Sequence, residues 1–218
     1  MDIFALAKFF IASFVSIFVI VNPLANMPIF ITMTEGDSPE KRRATAFKAC
    51  ATCFVVLAAF TFGGHHILRF FGVTVPAFRV AGGIILFMVA IQMLQVKPAR
   101  IRISPEEEKE GVEKEDIAVV PLAIPMLSGP GAITTVIVLG SEHEGWTPGL
   151  LIMLSSLLTS LISYIIFSRS VSMARVLGRS GVNILTRIMG LILAVIAVEI
   201  VASGIRGMFP RLFLAALI

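Results

Sequence analysis

Val19-Ile20-Val21-Asn22-Pro23-Leu24-Ala25-Asn26-Met27-Pro28-Ile29-Phe30 decides the fold, together with a second stretch whose Pro121 stands 98 residues after Pro23 (121 − 23 = 98). That second stretch reads Val119-Val120-Pro121-Leu122-Ala123-Ile124-Pro125-Met126-Leu127-Ser128-Gly129-Pro130-Gly131-Ala132-Ile133-Thr134-Thr135. Each holds Pro-Leu-Ala followed by another proline, within sequence apolar enough to sit in lipid. Proline has no backbone donor, and its ring clashes with the preceding helical turn. In hydrocarbon an unpaired carbonyl costs several kcal/mol, so such a break persists only where protein buries it or a cavity wets it. Matched broken helices in two halves of a chain point to a transporter binding site. The alternative is a pair of simple proline kinks closed by neighbouring helices.

The rest of the chain agrees with a membrane setting. It is 57% hydrophobic and 15% charged, with a mean hydropathy of +0.95, whereas a soluble domain is about a quarter charged. A span needs roughly 20 apolar residues. Six candidates are predicted, over 4–33, 44–64, 77–96, 117–139, 148–168 and 185–208, which leaves no room for a separate soluble domain. Asp2 precedes Lys8, and no Ala-x-Ala site follows the first apolar run, so that run reads as a retained span rather than a cleaved leader. The net charge of +4 and a pI near 9.4 do not point to nucleic acid, because the bases sit in loops between spans. Taken alternately, one side holds Lys8, Arg69, Arg79, Arg206 and Arg211, and the remaining 13 of the 18 Lys and Arg fall on the other (18 − 5 = 13). The richer side is cytoplasmic by the positive-inside bias, so both termini are expected outside the cytoplasm of a multi-pass membrane protein.

The halves also repeat. Gly83 to Gln92 aligns without gaps to Gly190 to Glu199, with four of ten positions identical and an offset of 107 (190 − 83 = 107). Each half holds three spans, an odd number, so the second enters from the opposite face as an inverted repeat. The expected domains are a first three-helix repeat over 1–97, a charged cytoplasmic linker over 98–116, and a second repeat over 117–218. The fold class is all-α, six membrane helices, with the first and fourth broken at Pro and Gly motifs. The linker carries Pro98, Pro105 and seven acidic residues and reads as solvated chain. Ser155, Ser156, Thr159, Ser160 and Ser163 in the fifth span read as a close-packing face.

The breaks supply the candidate binding residues. Ile117–Leu127 is expected to be a half-helix of about 16 Å, half the hydrocarbon thickness. Ser128 or Gly129 then caps a new half-helix, with Pro130 at its first position. The amides of Gly131 and Ala132 would face the midplane as an anion site, and Thr134 and Thr135 add hydroxyls. In the first break Asn26 is expected to cap a half-helix holding Met27 and Pro28. Asn22, held out of helical geometry by Pro23, and Thr32 would meet an amine or an ion. Arg79 and Arg187 each open the third span of their half. They read either as snorkelling ends or as gates that clamp a carboxylate. Glu199 is the most embedded acid, which makes it a coupling candidate or the ion-pair partner of Arg206. Its repeat counterpart is the neutral Gln92. Cys50-x-x-Cys53 lies on a membrane helix and reads as small packing residues. Cys53 and His65 are too far apart along one helix to share a metal (twelve residues, about 18 Å). No zinc motif or nucleophile elbow appears, so neither an enzyme nor a metal or organic cofactor is expected.

The segments Ile20-Val21-Asn22-Pro23, Pro121 to Pro125 with Ser128-Gly129-Pro130-Gly131, and Thr186-Arg187-x-x-Gly190-Leu191 through Glu199 resemble the MarC family of small six-span inner-membrane proteins. The resemblance covers essentially the whole chain, and the Ser-Gly-Pro-Gly segment is its most specific part. It implies transport of small neutral amino acids such as glycine and alanine, as in the SnatA-type members. The residues and the resemblance lead to one expectation: a secondary transporter taking glycine, alanine or serine by alternating access, coupled to H⁺ or Na⁺. The zwitterion would sit between the breaks, its carboxylate on the Gly129–Ala132 amides and its amine near Asn22 and Asn26. An efflux protein for other small compounds and a non-transporting scaffold are the other classes. Lipid is the expected surroundings, and the sequence is silent on oligomeric state.

Overall fold

A computed structural model describes residues 3–95, 117–141 and 145–209. The linker 98–116 and the outer turn at His143 lie outside the described residues. The described chain forms α1 (Ile3–Val21), α2 (Pro23–Met33), α3 (Pro39–Phe70), α4 (Val75–Leu94), an irregular segment (Ala118–Leu127), α5 (Pro130–Ser141), α6 (Trp146–Ser168) and α7 (Ser170–Met208). Five stretches are long and apolar enough to cross a bilayer: Ile3–Met33, Pro39–Phe70, Val75–Leu94, Trp146–Ser168 and Ser180–Met208. The irregular segment and α5, bent by 56°, make a sixth if taken as one span. These stretches follow the six predicted spans. The eight residues before Gly178, at the start of α7, were not expected to be helical. Gly178 turns the chain there with φ +61°, a value that glycine adopts without steric cost.

Local chemistry explains the starts. Pro23, Pro39 and Pro130 each stand at the first helical position, where the missing N–H costs nothing. Ser38 Oγ accepts from Lys41 N at 3.2 Å to cap α3, and Thr74 Oγ1 accepts from Ala77 N at 3.4 Å to cap α4. The starts also keep a constant spacing. Pro23 and Pro39 open α2 and α3, and Pro130 and Trp146 open α5 and α6, each 107 residues later (130 − 23 = 107; 146 − 39 = 107). Pro130 therefore stands where Pro23 does. The Pro-Leu-Ala runs, 98 residues apart, are not structural counterparts: Pro23 opens a helix, while Pro121 lies inside the irregular segment.

The most extensive helix packing is α4 along α7. A methyl added at Gly83 would come within 3.0 Å of the Ala197 carbonyl oxygen, and one at Gly190 within 3.1 Å of the Ala90 carbonyl oxygen. Gly204 meets Pro76 in the same way. As the number rises on α4 it falls on α7, so the two helices run antiparallel. Glycine lets the backbones approach this closely. Leu86, Ala90, Leu193 and Ala197 are buried beside the crossing. A second core joins α1, α2, α3 and α6, centred on the stacked rings of Phe30 and Phe167 at 4.8 Å. Both rings are fully buried. Ser155, Ser156, Thr159, Ser160 and Ser163 are buried too. Ser156 and Ser163 Oγ each donate to the carbonyl four residues back. The outward faces carry Ile84, Phe87, Leu161, Leu191 and Val195, an apolar surface larger than water tolerates and suited to lipid.

Candidate functional site

The two breaks are closed by different means. At the first, Asn22 has φ +45° and ψ +62°, the left-handed region that asparagine visits more readily than other side chains. Its N–H still donates to Phe18 O at 3.0 Å, and its Oδ1 accepts from Ala25 N at 3.3 Å. Asn22, not Asn26, is therefore the cap of α2. The difference follows from Pro23, which takes the first helical position and fixes the cap one residue before it. Asn26 lies inside α2, where its Nδ2 donates to Val21 O at 3.0 Å and satisfies a carbonyl that the break leaves open. Thr32 Oγ1 turns back to Pro28 O at 3.1 Å.

At the second break the expected half-helix over Ile117–Leu127 does not form. Val120 and Ile124 are extended, with φ near −124° and −125°, as proline requires of the residue before it. Both are followed by cis prolines. The backbone closes wider rings instead: Leu122 N donates to Ile117 O at 3.3 Å and Ser128 N to Ala123 O at 2.8 Å. Ser128 Oγ donates to the same Ala123 carbonyl at 2.8 Å, so it does not cap α5. Gly129 fills that place, its carbonyl accepting from Ile133 N at 3.0 Å. A side chain at Gly129 would collide with the carbonyl of Pro125.

Most of the second-break residues are packed. Ser128, Gly131, Ala132 and Thr134 are buried. Gly131 faces the side chains of Ile20 and Leu86, and the Thr134 methyl faces Gly82. Thr135 Oγ1 donates to Gly131 O at 2.9 Å. Pro23 is buried, while Pro28 and Pro130 are exposed.

The remaining candidates divide between two cavities. One, of about 290 Å³, lies at the first break and is lined by Asn22, Asn26, Pro28, Gln92, Asn183 and Thr186, with Met126 from beside the second break. The other, of about 260 Å³, is lined by Ser16, Arg79, Thr135, Glu199 and Ser203, with Ile196 and Ile200. A space of about 390 Å³ adjoins it, lined by Glu199, Ala202, Ser203 and Arg206. Arg79 stands near the start of α4 and Gln92 near its end, thirteen residues apart, which is about 20 Å of helix. The cavities therefore lie toward opposite ends of the bundle. In the Arg79 cavity Nη1 of Arg79 donates to Ser203 Oγ at 2.9 Å and Nη2 to Ser141 Oγ at 3.4 Å. Among the described residues no ion pair joins Glu199 to Arg206. Arg187 is exposed and lines neither cavity.

Part of each lining corresponds. Arg79, Ile196, Glu199 and Ile200 line one cavity; Thr186, Val89, Gln92 and Met93 line the other. Each pair is separated by 107 positions (186 − 79, 196 − 89, 199 − 92 and 200 − 93 all give 107). Sequence reasoning singled out Gln92 and Glu199 in this way but set Arg79 against Arg187. The 107 spacing gives Thr186, one position earlier, and that same step finds a residue the sequence reading passed over. Ser16, Asn183 and Ser203 were also missed. Single polar residues on apolar helices carry no spacing signal of their own.

These features define an all-helical, multi-pass membrane protein with broken helices beside two cavities that carry polar residues in their linings. The chain belongs to the MarC family: the model of the MarC family integral membrane protein matches residues 7–209. It is 40% identical to the UPF0056 membrane protein YvbG of Bacillus subtilis (strain 168), over 94% of this chain and 98% of that one. It is 35% identical to a UPF0056 membrane protein of Aquifex aeolicus (strain VF5), over 93% and 94%. It is 39% identical to the UPF0056 membrane protein MJ1677 of Methanocaldococcus jannaschii, over 92% and 97%. No solved structure matches the chain.

Proposed function

We propose that this protein is a secondary transporter of small neutral amino acids, built as an inverted repeat and working by alternating access. The observation that carries the reading is the pair of cavities, toward opposite ends of the bundle, which share a set of lining residues paired through the 107-residue spacing. Inverted repeats produce such pairs, because one half can adopt the arrangement of the other and expose the path to the opposite side. The antiparallel α4–α7 crossing, with Gly83 on Ala197 and Gly190 on Ala90, supports the same symmetry.

The cavity at the first break, of about 290 Å³, has room for a small zwitterion. The Asn22 cavity offers neutral amides and a hydroxyl from Asn26, Gln92, Asn183 and Thr186, groups that both donate and accept and so suit both ends of a zwitterion. By the charge bias, this cavity opens to the cytoplasm and the Arg79 cavity to the exterior. Both termini are then outside. An ion gradient, of H⁺ or Na⁺, supplies the driving force.

The test is uptake of radiolabelled glycine and alanine into proteoliposomes, with imposed H⁺ or Na⁺ gradients. Wild type is expected to accumulate both under one of the gradients. Gln92→Ala and Asn183→Ala, at exposed cavity-lining positions, are expected to reduce uptake while leaving the protein folded. Absence of glycine and alanine uptake by folded wild type, with either gradient in either direction, overturns the reading.

A further inference from the structure

The two cavities correspond in position but not in charge. Where one has Thr186 and Gln92, the other has Arg79 and Glu199. An Arg or a Glu within a membrane-spanning helix marks a functional position by default. Here two of opposite sign line one cavity, and both counterparts are neutral.

The spacing of the pair is set by α7. The Arg79 guanidinium reaches Ser203 Oγ at 2.9 Å. Glu199 precedes Ser203 by four residues, hence lies on the same helix face one turn away, with roughly 5–6 Å between Cβ atoms. The cationic wall from α4 and the anionic wall from α7 therefore face one volume of about 260 Å³, with the Thr135 and Ser16 hydroxyls also on its lining. A guanidinium recognises a carboxylate through paired N–H donors, and a carboxylate accepts from an ammonium.

The geometry points to the Arg79 cavity as a zwitterion-binding site, holding the substrate carboxylate on Arg79 and its ammonium on Glu199. This rests on the amino-acid reading above and names the binding pair within it. The neutral Asn22 cavity is then the weaker-binding end of the same path. The protein captures its substrate at the charged end and holds it loosely at the other. The substrate class is neutral α-amino acids, because the remaining lining, Val138, Leu139, Ile196 and Ile200, is apolar and offers nothing to a charged side chain. A purely structural Arg79, holding Ser141 and Ser203 to brace three helix ends, is the competing role.

Equilibrium binding of radiolabelled alanine to the purified full-length protein separates the two roles. The competitors are unlabelled alanine, alaninamide, which lacks the carboxylate charge, and propionate, which lacks the ammonium. Wild type is expected to prefer alanine over both. Arg79→Gln and Glu199→Gln are each expected to weaken alanine binding about tenfold to a hundredfold, the worth of one charged hydrogen bond. The ranking is also expected to change in opposite ways. Arg79→Gln ceases to discriminate against alaninamide, and Glu199→Gln ceases to discriminate against propionate. Arg79→Lys, which keeps the charge, is expected to retain the wild-type ranking, and it stands in if Arg79→Gln does not yield a monodisperse protein. Variants that bind alanine as wild type does, or that weaken all three ligands equally, overturn the assignment and leave Arg79 a brace. If wild type accumulates alanine in proteoliposomes while the variants rank the ligands unchanged, only this inference falls. If wild type neither binds nor transports alanine, the amino-acid reading falls and takes the inference with it.

Discussion

The first break is held by side chains and the second by backbone. At Asn22 the chain turns left-handed, and two asparagine amides close it, one capping α2 and one covering the Val21 carbonyl. At Ser128–Gly129 no side chain caps the new helix. Extended residues before two prolines widen the coil, and Gly129 packs against the Pro125 carbonyl. A break made by side chains leaves polar groups beside a cavity. A break made by backbone is buried and needs glycine. This accounts for Asn22, Asn26 and Pro28 lining a cavity while Ser128, Gly131 and Ala132 are buried in packing.

Substitutions at four positions sharpen or break that contrast. The largest effect is expected at Gly129→Leu, because the obstacle is a backbone carbonyl that cannot swing aside. Its cost is at or above the top of the ~1–3 kcal/mol range for overpacking, read as loss of monodisperse protein or a large fall in unfolding midpoint. A well-tolerated leucine there would sink the backbone account of the second break. Next comes Asn22→Ala, which puts alanine at φ +45° and removes the cap. Together these cost about 2–3 kcal/mol. Asn22→Gly, free of the steric term, should recover most of it in the same thermal melt. Equal losses in both would show that the left-handed geometry is not what asparagine supplies.

Asn26→Ala is expected to cost about 1–3 kcal/mol, the penalty for leaving the Val21 carbonyl without its donor. Ser128→Ala should be the mildest, about 0.5–1.5 kcal/mol. The Ala123 carbonyl that Ser128 Oγ serves is also bonded by Ser128 N at 2.8 Å. A reversed order for these two, measured by denaturation in the same detergent, would contradict the division between side-chain and backbone closure.

Much of this was legible in the sequence, for identifiable reasons. Long apolar runs suit a bilayer, so length and hydropathy located the five long stretches and the bent pair that makes a sixth if taken as one span. Proline chemistry located both breaks. What the sequence could not give was which polar residue near a proline does the capping. Asn22 and Asn26 both fit the pattern, and only the position of Pro23 at the helix start decides between them. The coil over Ala118–Leu127 was also out of reach, because two prolines four residues apart fit either a kinked helix or an extended turn. The repeat register was misjudged at the first span for a chemical reason. Pro-Leu-Ala is a short match in apolar sequence, whereas Pro23 and Pro130 correspond in structural role although their neighbours differ. The cavity residues Ser16, Asn183 and Ser203 carry no local signal, and tertiary packing alone brings them to the site.

The α4–α7 crossing has one more consequence. If 107 is subtracted from every α7 residue, the contact of Gly83 with Ala197 becomes Gly83 with Ala90, and that of Gly190 with Ala90 becomes the same contact read in reverse. A surface on which residue i meets j while j meets i is an isologous interface, the kind that joins the two subunits of a symmetric dimer. The α4–α7 crossing thus has the two-fold form of a homodimer interface, made within one chain. Residues 1–96 and 97–218, made as two polypeptides in one cell, are expected to find each other through that crossing and restore the intact protein.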